Sequence, residues 1–204
     1  MTRFSVSGVV WFVIFIAVLV WSAIEPKDRA TWVLEVLPAV VGLFLVGWCV
    51  LRFPLTPLVY WMILLHAVIL MVGGHYTYAD VPLFDRFSEW FGWQRNNYDK
   101  LGHFAQGFVP ALIARELVIR FEVFSNRGWM SFFVVCFCLA LSAFYELIEW
   151  WVALVSDEAA DAFLGTQGYV WDTQSDMAWA LSGSILALAL LSRLHDQQIL
   201  ELHR

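Results

Sequence analysis

The sequence predicts an all-α integral membrane protein: a polytopic bundle of about six transmembrane helices with one amphipathic helix at the interface. Two observations carry this. Hydrophobic residues fill 61% of the 204 positions and charged residues 15%, against a usual ~45–50% and ~25%. Apolar runs of about 20 residues, the length that crosses the hydrocarbon of a bilayer, recur along the chain. The same composition excludes a soluble globular domain and a disordered chain. A net charge of -6 sets the protein against nucleic-acid backbones as partners. The expected partner is the lipid bilayer, and residues 1–204 read as a single integral membrane domain.

The first span, 4–24, is too long for a cleavable signal and no small-residue cleavage site follows it. The charged stretch Glu25-Pro26-Lys27-Asp28-Arg29 closes it. The second, 32–51, holds Glu35, read as snorkelling to the interface. Pro54 and Pro57 then mark a turn. The third, 58–79, carries His66, read as a satisfied core histidine, and ends on His75 and Tyr76. Residues 80–98 mix aromatics with charges (Phe84, Asp85, Arg86, Phe87, Glu89, Trp90, Phe91) and are too short and polar to cross. They read as an interfacial amphipathic helix. The fourth span, 100–120, is the least apolar and contains His103, Gln106, Arg115 and Glu116, the last two expected to be structural. The fifth, 129–155, contains Glu146 and Glu149. An acidic loop with Gly165 and Gly168 leads to the sixth, 172–194, and a short polar tail ends the chain.

Cys49, Cys136 and Cys138 sit in apolar runs, with no disulfide or zinc spacing. Trp90, Trp93, Trp129, Trp150, Trp151 and Trp171 fall near span boundaries, as interfacial belts do. Small residues Ala178, Ser182 and Gly183 offer a packing row, within the bundle or between chains. The oligomeric state is not readable. With the N-terminus in the cytoplasm, that side receives Arg3, Arg52, Arg115, Arg120, Arg127, Arg193 and Arg204. The other receives Lys27, Arg29, Arg86, Arg95 and Lys100. The bias places both termini in the cytoplasm.

Ionisable residues inside membrane segments are costly, so their convergence points to function. Alternating topology puts His75, Asp99, Lys100, His103, Glu146, Glu149, Asp157, Asp161, Asp172 and Asp176 on one side of the membrane. No comparable cluster is expected on the other side. Glu146 and Glu149 are spaced i, i+3; Asp99/His103 and Asp172/Asp176 are spaced i, i+4. Each pair shares a helix face. His103, Gly107 and Pro110 share a stripe, and Gly107 would allow a neighbour to approach closely. Two close carboxylates in low dielectric need a metal, a basic partner or a shared proton.

The expected site is a polar pocket near one membrane face that takes the head group of a lipid or a lipid-linked envelope precursor. Asp99, Lys100, Gln106, Asp172 and Asp176 are the candidate binding residues. His103, Glu146 and Glu149 are the candidate catalytic groups of a metal-assisted hydrolase or transferase. A divalent metal would sit on His103, Glu146, Glu149 and Asp176. Whether the protein is an enzyme is left open, since no His-Glu-x-x-His signature is present. A proton- or cation-coupled transporter is a further alternative. It needs ionisable groups through the full depth, where the far side offers Glu35, His66 and Arg115, and no inverted repeat is visible.

The segments Asn97-Tyr98-Asp99-Lys100-Leu101-Gly102-His103-Phe104-Ala105-Gln106-Gly107, Phe144-Tyr145-Glu146-Leu147-Ile148-Glu149-Trp150, Ala160 to Gly168 and Trp171-Asp172-Thr173-Gln174-Ser175-Asp176-Met177 resemble the YjdF-like family of bacterial inner-membrane proteins. The resemblance covers nearly the whole chain and implies a location in the bacterial inner membrane rather than a reaction. A fainter similarity runs to VanZ-like membrane proteins. Asp99, Lys100, His103 and Phe104 match their first motif, Glu146 or Glu149 the second, and Asp176 and Gly183 the third. Ala180 stands where that third motif has Asn. This similarity implies a role in the cell envelope.

Overall fold

A computed structural model describes residues 6–155 and 167–202. Its regular elements are all helical: α1 (Val6–Ala23), α2 (Arg29–Arg52), α3 (Pro57–Tyr76), a 3-10 turn (Tyr78–Asp80), α4 (Pro82–Phe91), α5 (Tyr98–Arg120), α6 (Arg127–Val155) and α7 (Asp172–Leu202). Four of these, α2, α3, α6 and α7, are long and apolar enough to cross a membrane, and α1 is a shorter apolar helix.

Local chemistry sets the helix ends. The Thr31 backbone N–H donates to the Asp28 carboxylate at 2.7 Å, which caps α2. That bond holds the Asp28 pKa below the usual carboxylate value. Pro57 and Pro82 open α3 and α4, where a missing N–H costs nothing. Gly92, at φ 67°, closes α4 in the left-handed region. α4 buries none of its residues, which suits the amphipathic helix expected over 80–98.

α5 is the centre of the bundle. It packs most extensively on α7 and also touches α3 and α6, while α1 and α2 pack on α3. Trp11, Phe15, Val36, Ala67 and Met71 fill the space among α1, α2 and α3. Val59, Leu112, Val134, Cys138 and Ala187 fill that among α3, α5, α6 and α7. This explains why the least apolar helix is tolerable: its neighbours are protein rather than lipid. The outward faces of the other helices are apolar, with Phe12, Phe44, Leu51, Phe132, Phe137 and Leu190 all exposed. Continuous apolar surface of that kind marks a lipid-facing belt.

Two glycines let α5 and α7 meet. A Cβ on Gly107 would collide with the Ala180 backbone, and one on Gly183 with the Phe104 carbonyl. The buried face of α7 runs through Ala180, Gly183, Ser184 and Ala187, at i, i+3, i+4 and i+7, while Ala178 and Ser182 are exposed. The packing row expected from Ala178, Ser182 and Gly183 is thus turned by part of a helical rotation. Of the three cysteines Cys138 is buried, while Cys136, two residues away on the other face of α6, is exposed.

Several expectations are corrected. The tail after residue 194 is not a tail: α7 continues to Leu202. The end of the bundle where no comparable cluster is expected holds a buried network. Glu116 accepts from the Thr56 N–H at 3.0 Å, the Thr56 hydroxyl at 2.7 Å, Arg120 at 2.9 Å and His195 Nε2 at 3.0 Å. Arg115 donates to His195 Nδ1 at 3.2 Å and to Asp196 at 2.5 Å, and Arg127 joins Asp196 at 2.9 Å. Arginine has no acceptor, so His195 accepts at Nδ1 and donates from Nε2. The Leu58 N–H donates to Gln198 at 2.8 Å. The last turns of α7 therefore satisfy the start of α3, which has no side-chain cap of its own. Arg115 and Glu116 are held in this network, which His195 and Asp196 complete from about 80 residues away.

Candidate functional site

The site lies at the opposite end of α5. The first two turns of α5 present Asp99 and His103 on one face and Lys100 beside them, toward α7. The Lys100 ammonium contacts Asp172 at 3.0 Å and Asp176 at 2.6 Å, and lies 3.7 Å from Asp99. Arg95, just before α5, reaches Asp172 at 2.5 Å and Asp99 at 3.6 Å. His103 Nε2 faces Asp99 at 3.3 Å and Asp176 at 3.9 Å, and His103 Nδ1 faces Glu146 at 3.7 Å. The Gln106 amide oxygen is 3.1 Å from Nδ1. The ring thus stands between the Gln106 amide oxygen on one side and the carboxylates of Asp99 and Asp176 on the other, and an Nε2–H donates toward Asp99.

The structure thus brings Asp99, Lys100, His103, Gln106, Glu146, Glu149, Asp172 and Asp176 to one end of the bundle, and all but Gln106 are buried. Asp157 and Asp161 lie outside the described residues. His75 does not join the cluster. Its Nδ1 faces the Ser22 carbonyl at 3.1 Å and its ring packs on Trp21 with centroids 4.5 Å apart. It ties α3 to the end of α1.

Glu35 was misplaced by the sequence reading. It does not snorkel outward: it is 5% exposed, and the Tyr145 hydroxyl donates to it at 3.3 Å. α2 begins at the same end of the bundle as α5, so a residue two turns into α2 sits at the depth of His103. Applying the alternating topology to the second span would have found it. His66 is half-buried, and with Glu35, Asp99, His103 and Glu149 it lines a cavity of about 140 Å³. Arg95, counted beforehand only in the Lys/Arg bias of that side, is an ion-pair partner of the cluster.

The charge balance is uneven. Glu35, Asp99, Glu146, Glu149, Asp172 and Asp176 are all at or below 9% exposure. The permanent cations that pair with them among the described residues are Arg95 and Lys100. Arg95 pairs with Asp99 and Asp172, and Lys100 with Asp99, Asp172 and Asp176, which leaves Glu35, Glu146 and Glu149 without a lysine or arginine partner among the described residues. One Glu146 oxygen is buried with no hydrogen bond. Buried charge of one sign calls for further positive charge.

Two parts of the site have distinct chemistry. Ligand atoms of Asp99, His103 and Asp176 lie within 4.8 Å of one another, a set able to hold a divalent ion. Glu146 stands beyond His103 rather than within that set. Next to it is a groove of about 630 Å³ between α4, α5 and the start of α7. Phe84, Trp93, Leu101, Phe104 and Trp179 supply its apolar walls, and Arg95, Asn97, Lys100 and Ser175 its polar side. Tyr169 covers both cations, 5.5 Å from the Arg95 guanidinium and 5.6 Å from the Lys100 ammonium. Gln167 docks this edge by a pair of bonds to the Asn96 backbone, at 3.0 and 2.9 Å.

Comparison with known proteins agrees with the architecture. The model of the family described as predicted membrane protein (DUF2238) matches residues 8–197. The chain is 51% identical to the inner membrane protein YjdF of Escherichia coli strain K12 over 182 residues, 89% of this chain and 87% of the relative. No solved structure matches.

Proposed function

The chain belongs to the DUF2238 family of predicted membrane proteins, and from that premise we propose that it binds the head group of a lipid or lipid-linked envelope molecule. It would do so as a multi-pass protein of the bacterial inner membrane, with about six spans and both termini in the cytoplasm. α1 and α5 complete the six, although they are shorter or more polar than the other four.

The amphiphilic groove carries this reading. Its volume, about 630 Å³, is within the ~300–1,000 Å³ of ordinary ligand sites. An acyl or prenyl chain fits the aromatic wall, and a phosphate fits the side where Arg95 and Lys100 stand. The carboxylates of Asp172 and Asp176 hold those two cations in fixed positions. The Trp179→Ala variant removes an exposed part of the wall and leaves the ion pairs in place. It is expected to retain several-fold less phospholipid than the wild type, read by mass spectrometry of protein purified in mild detergent. An unchanged lipid complement would refute the groove as the site.

The Asp99, His103 and Asp176 arrangement favours a second reading, metal-assisted hydrolysis or transfer at the same head group. Mixed imidazole and carboxylate donors suit zinc or manganese. With the ion bound, Gln106 would fix the His103 tautomer that leaves Nε2 free for it. Such an ion polarises a phosphoryl oxygen and activates water. Elemental analysis should then find about one metal per chain, lost in Asp176→Asn and in His103→Gln. No bound metal after exposure to zinc, manganese, magnesium and calcium would remove this reading.

A further inference from the structure

We propose that the cavity behind His103 binds a small organic cation, a primary ammonium group. The cavity, about 140 Å³, lies among α2, α3, α5 and α6, and its walls include the carboxylates of Glu35, Asp99 and Glu149 but no lysine or arginine. It shares no lining residue with the groove, so the two readings stand or fall separately.

Three observations select this ligand class. Glu149 is 8% exposed and lines the cavity, yet it makes no hydrogen bond or ion pair among the described residues. A buried carboxylate of that kind asks for a positive group from the cavity itself. The donors are also too far apart for one bare ion. Among the described residues the set that converges within 4.8 Å is Asp99, His103 and Asp176, and Asp176 does not line this cavity. An occupant must therefore have extent. The other walls are Pro38, Leu70, Gly102 and the rings of Tyr78 and Tyr145, with His66, His103 and Gln106 as the further polar groups. Apolar and aromatic surface around clustered carboxylates suits an ammonium on a short carbon chain, through ion pairing and cation–π attraction.

An ammonium of this kind can come from a free amine or from an aminophospholipid head group. The full chain in detergent would be titrated with ethylamine hydrochloride by equilibrium dialysis, at ionic strength held constant with NaCl. In parallel, its thermal stability would be read in mixed micelles of phosphatidylethanolamine or phosphatidylglycerol. Saturable ethylamine binding, about tenfold weaker in Glu149→Gln, supports the proposal with a free amine as source. Stabilisation by phosphatidylethanolamine alone, absent in Glu149→Gln, supports it with a lipid as source. Leu70→Trp fills the cavity from its apolar wall and should abolish either effect, which keeps the test decisive if Glu149→Gln does not fold. The proposal is overturned if neither probe acts, if NaCl does the same, or if Leu70→Trp retains the wild-type response.

Discussion

Lys100→Met is expected to destabilise the protein by about 3–5 kcal/mol, the usual result of removing one partner from a buried ion pair. The ammonium is the close cation on Asp176 and is shared with Asp172, at 2.6 and 3.0 Å. Asp172 would keep Arg95 at 2.5 Å, but Asp176 would face only the His103 ring, 3.9 Å away. Adding Asp176→Asn to the variant should restore part of the loss, because it removes the uncompensated charge. Lys27→Met is the matched control. It breaks an equally close but exposed pair with Asp80, at 2.6 Å with side chains 55% and 48% exposed, where the cost is at most about 1 kcal/mol. Thermal unfolding in detergent, followed by size-exclusion of the surviving monodisperse protein, measures all three. Equal stability of the Lys100 and Lys27 variants would show that the cluster is open to water rather than buried.

Gly107→Leu should be at least as damaging, with a loss of about 3 kcal/mol or more and a drop in folded yield. At this crossing the obstacle is the Ala180 main chain, which has no rotamer to yield, so α5 and α7 must separate. Separation would also pull Lys100 away from Asp172 and Asp176, so site and scaffold fail together. Gly183→Leu is expected to behave alike, since its neighbours are the main chain of Phe104 and Phe108. Gly47→Leu in α2 meets open space and should leave stability within about 0.5 kcal/mol of the wild type. Wild-type stability in Gly107→Leu would mean that the two helices do not cross this closely.

The helices were legible because a bilayer imposes a length and a composition on each crossing segment, and both can be counted along a chain. The amphipathic stretch before α5 was legible for a similar reason, as charges and aromatics alternated too densely to cross. Asp99, His103, Glu146, Glu149, Asp172 and Asp176 could be grouped because buried charge is expensive and topology fixes the depth of each. Glu35 and Arg95 were missed. One looked able to reach the interface and the other fell in the interfacial segment 80–98, and neither has a local pattern that says which way it turns. The network around Glu116 was missed because His195 and Asp196 follow the last apolar run and look like the start of a polar tail.

By itself, then, the sequence determined that this is a helical membrane protein, where its helices lie, and that carboxylates and a histidine gather near one face. These follow from solvation costs paid residue by residue. The tertiary structure alone decided which charges neutralise one another, that α5 rather than a more apolar helix forms the centre, and that a cation-lined groove and an anionic cavity lie on separate sides of Asp99 and Lys100. Those outcomes depend on the rotation and separation of helices far apart in sequence. Here that geometry is set by backbone contact at Gly107 and Gly183, which no single segment encodes.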